Sequence, residues 1–260
     1  MRLRASIVIP LLRQVDEWLE ASVRSALEQS VPTEVIVVTS HSTPASNSQI
    51  LERLRAHHDA LAVLPEDKPG FPGAVNKGLR STQCDRVGLL LSDDWLDRTA
   101  VEQCLRYFAD IVSTGNTVYF PDGRINEAAS STLSMPELLV RPTLEAKASY
   151  LQHFFLFRRQ FALAAGGLDE TIGNYPGIDD YDFIWTLLEH GATVAIVEKR
   201  LYHYRDHDGE RLTLVNPKLK KRNLEKILWK HGVVDEEARR ILHDYSRWFG
   251  RPMYKVMGLG

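Results

Sequence analysis

An apolar run without alternation, Leu89–Leu91 preceded by Val87, stops abruptly at Ser92, Asp93 and Asp94. Such a strand is typical of a mostly parallel sheet that helices cover on both faces. Ligands of these sheets bind beyond the carboxyl ends of the strands. Two carboxylates at that point suit Mg²⁺ or Mn²⁺, and therefore a phosphorylated substrate. The alternative is that one of them caps a helix predicted near 97–111.

Short apolar runs alternate with helical patterns through the first half of the chain. Apolar residues recur at helical spacing within 19–27, 50–54 and 74–79. The predicted order is βαβαβαβ, which favours an open parallel sheet with right-handed crossovers. The four predicted strands are Ile7–Ile9, Val35–Val38, Leu61–Leu64 and Val87–Leu91.

The second half is less regular, and the segment 124–155 mixes small polar residues with prolines that favour loops. A helix predicted at Phe161–Ala165 ends at Gly166, and from Pro217 onwards the pattern is helical and charged. The strands predicted in this half are Thr117–Phe120, His153–Phe157 and Thr193–Val197.

The composition indicates which partners and which cellular compartment to expect. The formal net charge of −2 gives no general attraction to nucleic acid, so no nucleic-acid partner is expected. The two cysteines, Cys84 and Cys104, lack a metal-type spacing, which favours a reducing compartment. No apolar stretch approaches the length of a membrane span. We therefore expect a cytoplasmic protein.

A second acidic cluster, Asp179, Asp180 and Asp182, follows the glycine-bounded stretch Gly173–Gly177. A carboxylate at a loop-to-helix junction can act as a general base towards an attacking hydroxyl. Acids at a helix N-terminus are also favoured by the helix dipole without any function. Both interpretations stay open from the residues alone.

Six segments, in this order, resemble the family 2 glycosyltransferases of the GT-A fold. The resemblance covers about the first 210 residues and implies a Rossmann-like α/β sheet, a nucleotide-diphospho-sugar donor, a divalent metal and inversion at the anomeric carbon. It predicts a nucleotide-binding half at 1–115, an acceptor-binding half of the same domain at 116–212 and a helical extension at 213–260. The segments are Ser6–Pro10, Val35–Val38, Gly70–Gly78, LLLSDDWL at 89–96, Gly166–Glu170 and Asp179–Phe183.

The same resemblance implies roles for single residues. Asp93 and Asp94 match the DXD-type motif, with Asp94 holding the metal and Asp93 the ribose or sugar. Asp180 matches the general base, Asp179 stands where Glu is usual, and a late histidine that reaches the metal corresponds to His207. The other predicted donor contacts are Pro10, Thr39, Ser40, Asp67, Asn76, Lys77, Ser92 and Arg205.

One departure concerns the nucleotide base. After the second strand the family usually has an Asp-Asp-Gly-Ser run whose first Asp contacts uracil, but here the residues are Thr39, Ser40, His41 and Ser42. A hydroxyl can still make one hydrogen bond to a base edge, and Asp67 is a candidate substitute. A UDP-sugar is the expected donor, and another base or a loss of activity stays open.

The segment 218–230 combines six basic residues with Leu224, Ile227, Leu228 and Trp229. Such a helix can lie on an anionic membrane at the inner face, where it would meet a lipid-linked acceptor. The alternative is that the apolar stripe packs on the core. Aromatic residues near the C-terminus indicate docking on the core or on a second subunit in a homodimer.

The predicted function is transfer of a sugar to a hydroxyl of a glycan or lipid-linked saccharide, with metal assistance. One alternative is a sugar-phosphate nucleotidyltransferase, although 11–14 lack the glycines of a phosphate loop after the first strand. The other is a non-catalytic module that binds a nucleotide-sugar or a glycan, which the altered loop at 39–42 supports.

Overall fold

The computed structural model describes residues 3–151, 153–171, 178–209, 214 and 216–259. Eight strands and eleven helices are found within these ranges. The strands are β1 (Ala5–Leu11), β2 (Thr33–Thr39), β3 (Leu61–Pro65), β4 (Arg86–Leu89), β5 (Trp95–Leu96), β6 (Ile111–Tyr119), β7 (Phe155–Arg158) and β8 (Val194–Arg205). The helices are α1 (Asp16–Leu27), α2 (Ala45–Arg55), α3 (Phe71–Ser81), α4 (Ala100–Cys104), α5 (Met135–Leu139), α6 (Leu144–Tyr150), α7 (Arg159–Ala164), α8 (Asp179–Glu189), α9 (Pro217–Lys230), α10 (Asp235–Ser246) and α11 (Met253–Val256).

All eight strands form one sheet in the order β3-β2-β1-β4-β7-β6-β8-β5. The first four strands are parallel, as predicted, with β1 between β2 and β4 and with β3 beside β2. The sheet then becomes mixed, because β7 runs antiparallel between β4 and β6, and β5 runs antiparallel to β8. The carboxyl ends of β1, β2 and β4 therefore meet at one edge.

Strand β1 shows why the apolar runs do not alternate with polar residues. Val8 packs into one apolar cluster together with residues of α3, while Ile7 and Ile9 pack into a second cluster with residues of α1. Both faces of the strand are thus buried. On the first face, a Cβ at Gly78 would stand 2.4 Å from Val8 Cγ1, so only glycine lets α3 approach this closely.

The helix predicted near 97–111 was wrong in its extent. Helix α4 covers only Ala100–Cys104, and β6 already begins at Ile111. Asp97 accepts hydrogen bonds from the backbone N–H and the hydroxyl of Thr99, which forms a turn before the helix. The N-cap position is Thr99, so neither Asp93 nor Asp94 caps this helix. The division between the two predicted halves, at 115/116, falls inside β6 and stays a prediction.

The C-terminal extension packs on the α/β domain through its apolar stripe. Leu224, Ile227 and Leu228 are buried in the same cluster as Val8, while Trp229 is 77% exposed. The alternative that the apolar stripe of this helix packs on the core therefore holds for these three residues. Membrane contact stays a prediction that would rest on Trp229 and the outer lysines. None of the described helices is long and apolar enough to cross a membrane.

Asp182, the third member of the second acidic cluster, fastens this extension to α8. Its side chain is 2% exposed and accepts hydrogen bonds from Lys230 Nζ at 2.8 Å and from His231 Nε2 at 2.9 Å. The His231 ring stacks on Trp185, with 4.1 Å between the ring centroids. Lys230 also lies 3.2 Å from Asp169. The carboxylate of Asp182 is therefore engaged in structural contacts with Lys230 and His231.

Replacing Asp182 by Ala is expected to lower the free energy of unfolding by about 2–4 kcal/mol. The change leaves Lys230 and His231 without their shared partner, and the magnitude is below that of a fully buried pair because Lys230 is one-third exposed. Chemical denaturation measures the loss. The control is Asp244→Ala, which removes an exposed pair with Arg240 and should change stability by less than about 0.5 kcal/mol. Equal stability of the two variants would contradict the role of Asp182.

Candidate active site

The residues after β4 form a turn at the edge where β1 and β2 also end. The Leu91 carbonyl accepts hydrogen bonds from the Asp94 N–H at 3.2 Å and from the Ser22 hydroxyl of α1 at 3.0 Å. The Ser92 hydroxyl accepts a long hydrogen bond from Gln14 Nε2 at 3.4 Å. This turn directs the two neighbouring carboxylates differently.

Asp94 is directed inwards and is 1% exposed. Its Oδ2 accepts a hydrogen bond from the Tyr202 hydroxyl at 2.6 Å, and its Oδ1 accepts one from the Arg205 backbone N–H at 2.7 Å. Both donors belong to β8, so Asp94 ties the turn after β4 to a strand more than a hundred residues later. Both carboxylate oxygens of Asp94 thus already accept hydrogen bonds from protein groups. The role of Asp94 as a metal ligand stays a prediction.

Asp93 faces His207, with 3.3 Å between Asp93 Oδ2 and His207 Nε2. The imidazole is 4% exposed and packs against the Trp18 ring at a centroid distance of 4.5 Å. His207 Nδ1 is buried and has no hydrogen-bond partner among the described residues. A carboxylate and an imidazole at this separation fit neighbouring ligands of one divalent cation, which stand about 3 Å apart in an octahedral shell. Among the described residues, no third His, Cys, Asp or Glu joins them.

Arg205 places a positive charge beside this pair. Its guanidinium lies between two indole rings, 4.8 Å from the centroid of Trp18 and 4.8 Å from that of Trp95. Its Nε donates a hydrogen bond to the Asp93 carbonyl at 2.9 Å. The planar, ring-stacked guanidinium is suited to phosphate oxygens.

Asp180 lies in the first turn of α8 and pairs with His153. His153 Nε2 and Asp180 Oδ2 are 2.7 Å apart, and the Asp180 side chain is one-third exposed. Burial raises the pKa of the Asp180 carboxyl, but the hydrogen bond and charge of His153 outweigh it and hold this pKa below its ordinary value. Asp180 is therefore an ionised carboxylate that a ligand can reach.

The two acidic clusters are connected through aromatic rings. His153 stacks on the Tyr202 ring at a centroid distance of 5.5 Å, and Tyr202 in turn donates its hydrogen bond to Asp94. Burial, together with the charge of Asp94, raises the pKa of Tyr202 well above its ordinary value, so the phenol keeps its proton. The sheet edge and the first turn of α8 are thus connected through His153 and Tyr202.

Asp179 differs from its neighbour Asp180. It is 4% exposed, and its Oδ2 has no hydrogen-bond partner in the part of the chain that the structure describes. Burial first, and then the charges of Asp180 and Asp182, raise its pKa well above the ordinary value. Asp179 is therefore less accessible than Asp180, and its predicted catalytic role stays a prediction.

Comparison with known proteins identifies the family. A family model described as glycosyl transferase family 2 matches residues 6–166, which is more than half of the chain. The chain belongs to glycosyl transferase family 2. Its relatives include the putative glycosyltransferase EpsH of Bacillus subtilis, 21% identical over 74% of this chain and 58% of EpsH, and the chondroitin synthase of Escherichia coli, 26% identical over 86% of this chain and 32% of the synthase. The chain therefore spans less than two thirds of these family 2 relatives.

Solved structures show the fold. S. aureus TarS 1-349 in complex with UDP-GlcNAc matches with a TM-score of 0.66 at 17% identity, over 95% of this chain and 72% of TarS 1-349. The mannosyltransferase PcManGT from Pyrobaculum calidifontis, solved with GDP-Man and Mn²⁺, matches with a TM-score of 0.65 at 17% identity and with the same two coverages. The GT-A fold and the family predicted from the sequence are confirmed.

The loop in which this family 2 chain lacks the usual acids is bound to a glutamate instead. Ser40 Oγ donates a hydrogen bond to Glu66 Oε1 at 2.7 Å, and His41 Nδ1 lies 3.3 Å from the same oxygen. Thr39 ends β2 beside Leu11, the last residue of β1, so Pro10 also lies at this edge. Glu66 thus restores a carboxylate near the end of β2.

Three predicted donor contacts have other partners. Both amide protons of Asn76 are used, by the Leu168 carbonyl at 2.8 Å and by Glu170 Oε1 at 2.9 Å, so Asn76 fastens α3 to the turn after α7. Lys77 Nζ pairs with Asp67 at 2.7 Å. That hydrogen bond is the main reason why the pKa of Asp67 is lowered. These contacts give Asn76, Lys77 and Asp67 structural partners within the chain, and their roles as donor contacts stay predictions.

Sequence reasoning missed four residues of this site. One of them, His153, was included in an aromatic run predicted to be a strand from 153, whereas β7 begins only at Phe155. A polar side chain at the end of an aromatic run is the signal that would have found His153. The four residues are Trp18, Glu66, His153 and Tyr202.

Proposed function

We propose that this chain transfers a sugar from a nucleotide-diphospho-sugar to a hydroxyl acceptor, with inversion at the anomeric carbon. The observation that carries the proposal is the pair His153–Asp180, an exposed and ionised carboxylate connected through Tyr202 to the acidic turn after β4. Family 2 relatives that include a chondroitin synthase support the reaction type.

The donor binds along the edge formed by β1, β2 and β4. Neighbours of the same fold that were solved with UDP-GlcNAc and with GDP-Man support a nucleotide-sugar, and a UDP-sugar is the first candidate. Ser40, Glu66 and Asp93 line this edge at the ends of the strands. The positive charge of Arg205 is placed to bind a diphosphate oxygen.

Asp93 and His207 would hold a divalent cation, Mn²⁺ or Mg²⁺, with Asp94 behind them as the predicted further ligand. When bound, such an ion supplies positive charge that stabilises a departing diphosphate. Two protein ligands suffice because substrate phosphates complete the shell of such ions. The neighbour solved with GDP-Man and Mn²⁺ supports this assignment.

Asp180 takes the proton from the acceptor hydroxyl as that oxygen attacks the anomeric carbon. Inversion requires the attacking oxygen to approach on the side of the sugar opposite the diphosphate. The arrangement suits this geometry, because Asp180 lies in α8 while the diphosphate contacts belong to the turn after β4 and the end of β8. Holding both reactants in place supplies much of the rate.

We propose a glycan or a lipid-linked saccharide as the acceptor. Transfer to a lipid-linked acceptor would place this chain in the cytoplasm at the inner face of the membrane. The candidate membrane contact consists of the exposed Trp229 and the lysines of α9. The formation of a homodimer stays a prediction.

A donor panel tests the function. UDP-, GDP- and dTDP-sugars are each added with and without Mn²⁺, and the melting temperature is recorded. We expect one nucleotide class to raise the melting temperature only with Mn²⁺, because a ligand that binds the folded state stabilises it. No shift with any donor would contradict the proposal.

The binding module is the second candidate, because Thr39–Ser42 lacks the carboxylates that the family usually has there. It predicts the same donor shift without hydrolysis or transfer. Release of nucleoside diphosphate in the presence of an acceptor separates the two functions.

His153→Phe is expected to move the acid limb of the pH–rate profile to higher pH. Phe keeps the packing against Tyr202 but removes the hydrogen bond that lowers the pKa of Asp180, so this pKa rises and the base is protonated at a higher pH. The profile of kcat/KM measures the shift. His203→Phe is the control, since His203 stacks on Trp95 instead. Identical profiles for wild type and His153→Phe would contradict the pairing.

A further inference from the structure

A cavity of about 310 Å³ opens beside Asp180, where α6 and α8 meet the C-terminal helices. This volume is within the range of small-molecule sites. The family model ends at residue 166, so this cavity is formed largely by parts of the chain beyond the matched region. The residues that carry the argument are Asp180, Tyr204, Lys220, Tyr245, Trp248 and Arg251.

Aromatic rings form much of the wall of this cavity. Tyr204, Tyr245 and Trp248 offer flat apolar faces, and such faces pack against the C–H groups of a sugar ring. Burial raises the pKa of Tyr245 to about 12, so its hydroxyl stays neutral. A wall of this kind suits a saccharide better than a purely aliphatic ligand, because it combines aromatic rings with the polar groups of its tyrosines.

The charged residues of the wall indicate which saccharide. Arg251 is exposed and makes no ion pair with any described residue, and the Lys220 ammonium lies 5.1 Å from the centroid of the Phe249 ring. Asp180 is the one carboxylate among the described residues that line the cavity. Lys220 already has a partner within the protein and Asp180 is paired with His153, so Arg251 is a cation of this wall that no described carboxylate neutralises, which favours an anionic ligand.

We propose that this cavity binds the acceptor and that the acceptor saccharide carries an anionic group, a carboxylate or a phosphate. Arg251 binds the anion, the aromatic rings hold the sugar, and Asp180 faces the hydroxyl that reacts. The C-terminal extension, which supplies Arg251, thereby selects the acceptor. This inference rests on the proposed function, because it uses Asp180 as the base.

Three probes test the charge preference: methyl β-D-glucuronide, glucose 6-phosphate and the neutral methyl β-D-glucoside. Ligand-observed NMR titration at low salt gives the Kd of each. We expect at least one anionic probe to bind about tenfold more tightly than the glucoside, and the two anionic arms distinguish a carboxylate from a phosphate. Arg251→Ala should remove most of that tenfold advantage.

The matched control is Arg247→Ala. Arg247 is exposed and stacks on Trp248 at 5.0 Å, but it does not line the cavity, so this variant should keep the anion preference. Equal binding of all three probes, or an anion preference that survives Arg251→Ala, would overturn the proposal. If a donor raises the melting temperature but the anionic probes bind no more tightly than the glucoside, the acceptor site alone is overturned. If the anionic probes bind more tightly but no donor raises the melting temperature, the proposed function is overturned.

Discussion

Asp180→Asn is expected to lower kcat for sugar transfer by about 10²- to 10⁴-fold, the usual contribution of a positioned general base. Asn preserves the shape of the side chain and a hydrogen bond to His153, but it cannot accept the acceptor proton. The proposed donor contacts are on the turn after β4 and not on α8, so the donor Kd should change by no more than about twofold. Steady-state kinetics and calorimetry measure the two quantities.

Asp179→Asn is the matched control for this variant. Asp179 is the adjacent residue, but it is buried and its pKa is raised by burial and by its acidic neighbours, so Asn closely replaces its protonated form. We expect kcat to fall by less than about tenfold, because a carboxyl group that is buried away from the acceptor has no proton-accepting role to lose. Undiminished turnover in Asp180→Asn, or equal losses in the two variants, would exclude Asp180 as the base.

Asp93→Asn is expected to weaken Mn²⁺-dependent donor binding by at least about 10- to 100-fold, the cost seen when even outer partners of a metal site are changed. Asn loses the charge that a divalent cation requires while keeping the side-chain volume. Titration of Mn²⁺ into the protein with bound UDP, followed by calorimetry, measures the effect. Affinity that is unchanged and independent of metal would refute the metal role of Asp93.

Asp94→Asn separates the two neighbouring carboxylates. Asp94 accepts hydrogen bonds from Tyr202 and Arg205 in the interior. We therefore expect Asp94→Asn to lower the free energy of unfolding and to retain more of its Mn²⁺ affinity than Asp93→Asn does. If Asp94→Asn loses Mn²⁺ affinity while Asp93→Asn keeps it, the sequence assignment of Asp94 as the ligand is correct and the geometric preference for Asp93 is wrong.

Strands β1, β2 and β4 were predictable because both of their faces are buried, so hydrophobicity alone marks them, whereas β3 is only partly buried and has a weaker apolar run. The predictions Val35–Val38 and Leu61–Leu64 lie within β2 and β3. The helix predicted near 97–111 failed because local apolar spacing does not reveal that Trp95–Leu96 pairs with β8 and that Ile111 already belongs to β6. Pairings with a late strand are not encoded locally.

The site was predictable where function follows from position along the chain, as for the acids that end β4 and begin α8. The different directions of Asp93 and Asp94 were not, because they depend on Tyr202 and Arg205 of β8. Nor was Asn76, whose amide is bound to the segment around Leu168. Each of these contacts joins residues far apart in sequence, and only the folded chain brings them together.

The central claim is tested most directly by the release of nucleoside diphosphate from the donor that stabilises the protein, with Mn²⁺ and a panel of anionic and neutral saccharide acceptors. Wild type is expected to release it, and Asp180→Asn is expected to do so at least about 100-fold more slowly with donor affinity retained. Equal rates in the two proteins, or a wild type that binds the donor and releases no nucleoside diphosphate with any acceptor, would contradict the proposed transferase chemistry.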